Sequence, residues 1–332
     1  MKYPNQQKSA KKWFIFTILI VTIIPSFNFA QTVKTSGYIQ NSMIKSEDNK
    51  AFLFGFERVR VRFSGTLNEQ MSYKLQVDFT DAFKETGNDG STPAMINYAE
   101  IIFTPIDLLN ISVGKLKTPI GMEWNAGPTS LDFVKRGLGQ ALIFHFDAGM
   151  MAQTKSISKY GLKFTGSVFN YGPNKATDVG DPSKGNDYTI AGRIAMDPSK
   201  KIHAETFVGS ALTSVEGQEN VNIYGVGLKW KLAEKLQLKG EFLDRTDAQN
   251  SSADGTDYYA QAGYTVHPHI EAAIKYEKLD LSNNAKDQTN ITLGANFFLN
   301  TKDKKQSKIL VNYVISDLED KDAIQVMFQA AF

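Results

Sequence analysis

The stretch that decides the fold is the end of the chain, "DAIQVMFQAAF" at positions 322–332. Ile324, Val326, Phe328, Ala330 and Phe332 share one parity, and Ala323, Gln325, Met327, Gln329 and Ala331 share the other. A period of two is the mark of a strand whose faces meet different surroundings. Terminal residues are usually loose unless docked, yet here the alternation runs to the last residue and leaves a large ring beside a free carboxylate. Such a strand needs a pairing partner, and Phe332 needs an apolar environment.

The same alternation recurs along the chain. In "SYKLQVDFT", Tyr73, Leu75, Val77 and Phe79 alternate with Lys74, Gln76, Asp78 and Thr80; "YGLKFTGSVF", "YGVGLKWKL", "NITLGANFFL" and "KILVNYVI" repeat the pattern. One face is apolar or aromatic, and the other carries Lys, Gln, Thr, Asn, Gly and acids. About sixteen such runs are expected, at 33–44, 52–66, 71–81, 95–104, 108–117, 147–156, 160–171, 187–197, 201–213, 221–232, 235–247, 256–267, 269–281, 288–300, 307–317 and 321–332. The connections alternate in length. Those at 43–51, 82–94, 118–146, 172–186, 214–220 and 248–255 are long and polar, whereas "TPID", "ISK", "DPSK", "AEK" and "HPH" make tight turns.

Long loops on one rim and short turns on the other, with apolar residues outward and polar ones inward, describe an outer-membrane barrel. The expected fold is therefore all-β: a transmembrane antiparallel barrel of about 16 strands. Closure explains the complete last strand, which must pair with the first, near "KTSGYIQNSM", so that no edge is left unpaired in hydrocarbon. A terminal outward aromatic, Phe332, also resembles the signal by which the barrel assembly machinery recognises such proteins.

Composition fits this reading. The chain has 332 residues, of which 22% are charged and 11% aromatic, including thirteen Tyr and twenty-two Phe. Lys2, Lys8, Lys11 and Lys12 precede the apolar run "WFIFTILIVTII" and then "PSFNFA", the layout of a secretory leader cleaved after Ala30. Twelve apolar residues fall short of the roughly 20 that a membrane-crossing helix needs. The expected organisation is a signal peptide at 1–30 and one barrel domain at 31–332. Without the four leader lysines, 33 Lys and Arg face 35 Asp and Glu, a net charge near −2. Nucleic-acid binding, which needs a basic field, is not indicated. There is no Cys, so no disulfide framework braces the chain.

"FLFGFERVRVRFSGTLNEQMSYKLQVDFTDA", "NYAEIIFTPIDLLNISVGKLKTPIGMEW", "FDAGMMAQ", "GSVFNYGPN" and "YTIAGRIAMDP" follow one another in an order that resembles the phosphate-selective porin O and P family. The resemblance covers about 37–198. It departs from that family at Phe146, preceded by His145, where an Arg is common. It implies a sixteen-stranded, trimeric porin in the outer membrane of a Gram-negative bacterium, with phosphate as the candidate solute.

No catalytic constellation emerges. The histidines at 267 and 269 in "HPH" lack a carboxylate or thiol at matching spacing, so no metal site is expected, and Ser130, Asp132 and His145 lack a nucleophile elbow. No cofactor is implied. The charged inward positions are more telling. "ERVRVRF" puts Arg58, Arg60 and Arg62 on one face, about 7 Å apart, opposite Val59, Val61 and Phe63. Such a row lowers the barrier to anions and offers paired donors to phosphate oxygens; equally, Asp78 and Glu100 could neutralise it.

Lys74, Lys163 and Arg193 also fall on inward positions, as do Lys229, Lys239 and Lys275, beside Glu205, Glu241 and Glu271. Lys115 and Lys117 share the parity of Ile111 and Val113, so a bulge near Gly114 is required to bring them inward. The long 118–146 connection carries Lys135 and Arg136 beside Glu123 and Asp132. Its apolar Leu131, Phe133, Val134, Leu142, Ile143 and Phe144 suggest a third loop folded against the inner wall, with a cap over the barrel mouth as the alternative.

The expected function is passive diffusion of small hydrophilic solutes, leaning toward anions. The rival is a barrel without transport, an adhesin or a plugged-lumen enzyme. Deleting Phe332 should lower the yield of assembled barrel without blocking export across the inner membrane. Heat-modifiability on gels checks this, and normal levels of folded barrel would contradict it.

Overall fold

The computed structural model describes residues 33–47, 51–80, 96–170, 188–212, 219–247, 254–282 and 287–332. The expected leader and the 82–94 and 172–186 loops lie outside them.

Sixteen strands follow in chain order: β1 (Lys34–Ser46), β2 (Leu53–Asn68), β3 (Met71–Asp78), β4 (Ile96–Ile106), β5 (Leu109–Lys117), β6 (Phe146–Thr154), β7 (Lys163–Asn170) and β8 (Tyr188–Ser199). The second half adds β9 (Ile202–Leu212), β10 (Val221–Lys231), β11 (Leu236–Thr246), β12 (Gly255–His267), β13 (Ile270–Leu281), β14 (Gln288–Phe298), β15 (Ser307–Ser316) and β16 (Ala323–Ala331). Each strand pairs with its sequence neighbours, and β16 pairs antiparallel with β1, closing the barrel.

The ends of the expected strands lie within three residues of these bounds. The larger offsets have local causes. β3 stops at Asp78 because its carboxylate accepts the Thr80 N–H at 3.1 Å, turning the chain out of the ladder. β7 starts late because a tight turn with positive φ at Ser158 (67°) and Gly161 (64°) occupies the preceding residues.

The seam between first and last strands is tightly made. Gly37 and Phe332 exchange both backbone hydrogen bonds, each at 2.9 Å. The Phe332 ring covers Gly37: a Cβ there would lie 2.6 Å from the ring's Cζ. Glycine thus makes the space that the terminal aromatic fills, as when an aromatic covers a strand glycine.

Parity holds around the barrel. Outward residues such as Val226, Val208, Phe328 and Phe332 are exposed, whereas inward Gln40, Glu241, Asn296 and Asn312 are buried. An exposed apolar belt over a buried polar interior inverts the soluble pattern, and hydrocarbon is the solvent that favours it. One rim carries mostly two- to four-residue turns, at 69–70, 107–108, 200–201, 232–235 and 268–269. In the last of these the His269 N–H donates to His267 Nδ1 at 3.3 Å and the His269 ring lies 2.7 Å from the Phe298 carbonyl, so the "HPH" histidines build a turn.

Val226 stands at the centre of β10 on the outward face, and Gln237 on β11 faces inward beside the lumenal cavity. Val226→Arg should destabilise the barrel by about 2–4 kcal/mol if it sits at the bilayer midplane. Gln237→Arg should be well tolerated. Unfolding titrations in lipid check both, and equal costs would contradict the parity.

Candidate permeation pathway

The arginine row projects inward, as its spacing predicts. Arg58 donates from Nη1 to Gln40 Oε1 at 2.9 Å. Arg60 donates from Nε to Asp78 Oδ2 at 2.6 Å and from Nη1 to the Tyr38 hydroxyl at 3.1 Å. Arg62 grips Gln76 Oε1 with Nε at 3.1 Å and Nη2 at 2.8 Å. The two alternatives for this row therefore divide by residue. Asp78 neutralises Arg60, whereas Arg58 and Arg62 bond to neutral amide oxygens and keep their charge.

The other expected cations are placed as follows. Lys74 pairs with Glu100 and lies 3.8 Å from the Tyr98 ring centroid. Lys163 reaches Asp197 at 3.4 Å, and Arg193 reaches Glu205 at 3.9 Å. Gly114 does break the regularity of β5, with φ of 129° and room for no side chain: a Cβ would sit 2.0 Å from the Ala99 carbonyl. The register of β5 with β4 and β6 nevertheless runs through Gly114 without a shift. Lys115 lies opposite Ala99 and Ala148, on the outward side with Val113, and does not join the inward cations. Lys117, at the strand end, donates to the Trp124 carbonyl and sits 4.4 Å from the centre of its ring.

The 118–145 connection is fixed by polar contacts to inward side chains of distant strands. Glu241 on β11 accepts the N–H groups of Met122 and Glu123, the latter at 2.9 Å. Asp132 is held by Lys239 and by Gln261 at 2.5 Å. On the far side, Asn312 accepts the Val134 N–H at 2.8 Å, Lys308 donates to the Leu131 carbonyl, and Gln40 donates to the Pro128 carbonyl at 3.2 Å. Apolar residues fill the gaps: Ile120, Leu142, Ile143 and Phe144 pack on Phe207, Ile223 and Leu243, and Val134 on Leu310 and Met327.

Arg136 serves the segment itself. Its guanidinium donates to the carbonyls of Glu123, Trp124 and Ala126, and it lies 5.4 Å from the Trp124 ring centre. Its donors are thus spent on backbone oxygens. Lys135 is more exposed, 3.8 Å from Glu57.

A cavity of about 680 Å³ lies between residues 122–132 of this segment and the β8–β15 wall. Lys229, Lys231, Lys239, Lys305 and Lys308 line it with Arg193, against Asp132, Asp197, Glu205 and Glu271. Lys229, Lys231, Lys239 and Lys308 are marked in the sequence only by their inward parity, and Lys305 lies in the turn between β14 and β15. Their role as partners of the 118–145 segment depends on contacts more than 100 residues apart, for which a single sequence carries no signal.

A closed sixteen-strand barrel, apolar outside and charged inside, defines an outer-membrane channel protein. The chain belongs to the Gram-negative porin family, whose model matches residues 17–303. The match establishes that broad family and not the narrower phosphate-selective group. No curated protein matches it by sequence. Among solved structures, it is similar to an anion-selective porin from Comamonas acidovorans, with TM-score 0.65 and 14% identity over 91% of this chain and 100% of that one. It is also similar to a mutant porin of Rh. blastica (TM-score 0.64, 14% identity, 91% and 100% coverage). A third likeness is to the trimer form of OmpT, an outer membrane protein of Vibrio cholerae (TM-score 0.59, 11% identity, 92% and 100% coverage). At these identities the likenesses speak for the fold, and with the family they place the protein in the outer membrane of a Gram-negative bacterium.

Glu241→Ala leaves two partly buried backbone N–H groups without their acceptor, at up to about 1–3 kcal/mol each. It should loosen the 118–145 segment and speed tryptic cleavage after Arg136 in folded, detergent-solubilised barrel. A cleavage rate equal to that of the unaltered protein would contradict the anchoring role of Glu241.

Proposed function

We propose that this protein is a passive channel for small hydrophilic solutes that favours anions, that phosphate is its candidate solute, and that the 118–145 segment narrows its lumen. The observation that carries this reading is the pairing of Arg58 and Arg62 with amide oxygens. Charge left uncompensated on a wall where water is confined raises the local potential and enriches anions. Lys74, Arg60, Lys163 and Arg193 are balanced by carboxylates and contribute less.

Phosphate follows from the resemblance to the O and P porins together with the fit of a guanidinium fork to two phosphate oxygens. The anion selectivity stated for the Comamonas acidovorans protein is consistent with the lean. A homotrimer, and recognition of Phe332 by the barrel assembly machinery, belong to the same proposal.

Replacing Arg58, Arg60 and Arg62 together by Gln keeps polarity and much of the volume. The reversal potential of the channel in a salt gradient should move toward cation preference while conductance persists. Val59→Thr with Val61→Thr, on the outward face, should leave selectivity nearly unchanged. An unmoved reversal potential in the triple variant would remove the row from the pathway and leave a general diffusion pore.

A further inference from the structure

His203, on β9, has an environment that the arginine row does not explain. Its Nδ1 lies 2.8 Å from Asp197 Oδ1 and its Nε2 lies 2.9 Å from Glu205 Oε2. A neutral imidazole has one donor nitrogen and one acceptor nitrogen, whereas an ionised carboxylate can only accept. Both contacts are hydrogen bonds only when both nitrogens carry protons. With a neutral ring, one of them sets a lone pair against a carboxylate oxygen.

The surroundings decide what losing that proton does. Arg193 on β8 faces Glu205 at 3.9 Å, and Lys163 on β7 faces Asp197 at 3.4 Å. Lys229 on β10 stands directly opposite His203 in register, and Lys239 on β11 is opposite Lys229. His203, Asp197, Lys229 and Lys231 line both the 680 Å³ cavity and a neighbouring one of about 360 Å³, which adds Lys200 and Lys201 at the short-turn rim. A charge change at His203 is therefore made on the wall of these cavities. Asp197, which is partly exposed, also lies 3.4 Å from Lys163, a cation that stays beside it when the second bond fails.

We infer that His203, clamped between Asp197 and Glu205, is a titratable selectivity determinant whose imidazolium supports anion passage and whose deprotonation weakens it. This rests on the reading of the protein as an open channel with an anion lean. The sign follows from charge: loss of the proton removes one positive charge from the cavity wall and leaves one carboxylate without its imidazolium partner. Between roughly pH 5 and 8, His is the side chain whose ordinary titration falls in range. The chain has three other histidines, His145 beside the Trp124 ring and His267 and His269 in a turn, so the test must single out His203.

The experiment measures reversal potential in a fixed KCl gradient, from pH 5.5 to 8.5, for the unaltered protein, His203→Gln and Asp197→Asn. The anion-to-cation permeability ratio of the unaltered channel should fall about twofold in one step as pH rises. His203→Gln should lack the step. Asp197→Asn, which removes one acceptor of the imidazolium at a partly exposed position, should move the step to lower pH. The inference is overturned if the unaltered channel has no step or if His203→Gln retains it. Should His203→Gln fail to assemble, an unmoved step in Asp197→Asn overturns it instead. A channel that prefers cations at every pH defeats the anion reading alone, because a His203-dependent step would still appear within cation preference.

Discussion

Everything in this structure depends on closing the sheet. A backbone N–H or C=O left open in hydrocarbon costs several kcal/mol, and a sheet with two edges would leave two rows of them. The β1–β16 ladder removes both edges and runs from Tyr38 opposite Ala331 to Ser46 opposite Ala323, with Gly37 and Phe332 bonded beyond its end. The last residue of the chain is therefore a structural member of the seam. Its ring over Gly37 continues the apolar surface across the one junction where chain connectivity gives no help.

Closure also decides where polarity goes. With hydrocarbon outside, alternation sends every second residue into a shared interior, and those residues must satisfy one another or water. Here they do both. Asn312, Gln40, Glu241, Lys239 and Lys308 spend hydrogen bonds on the 118–145 segment, which is thereby held by side chains from opposite walls. Other cations form the arginine row or border the lysine-lined cavity. Holding the segment and attracting solute are thus tasks of the same inward set, divided by whether each charge meets a backbone group, a carboxylate or a neutral amide.

The strands were legible because period two is local: each is recognisable from about ten residues, and the long and short connections then order them into a barrel. The direction of Arg58, Arg60 and Arg62 was legible for the same reason. Their state was not, because whether a guanidinium meets Asp78, Gln40 or Gln76 depends on the register between strands. Lys115 keeps the parity of Val113, and only at the end of β5 does Lys117 turn to Trp124. The anchors of the 118–145 segment were hidden further, since Met122 to Glu241 and Leu131 to Lys308 join distant parts of the chain. Nothing in the sequence singles out His203, whose contact with Asp197, six positions earlier across a turn, appears only in the fold.

The central claim is that this closed barrel holds an open, water-filled path for solutes. The most direct measurement is the current through a planar bilayer as purified, folded protein is added. An open channel predicts discrete, stable steps of conductance that scale with salt concentration. Protein that inserts in folded form and yields no steps would contradict it, and would mean that the segment held by Glu241, Asn312 and Lys308 seals the barrel.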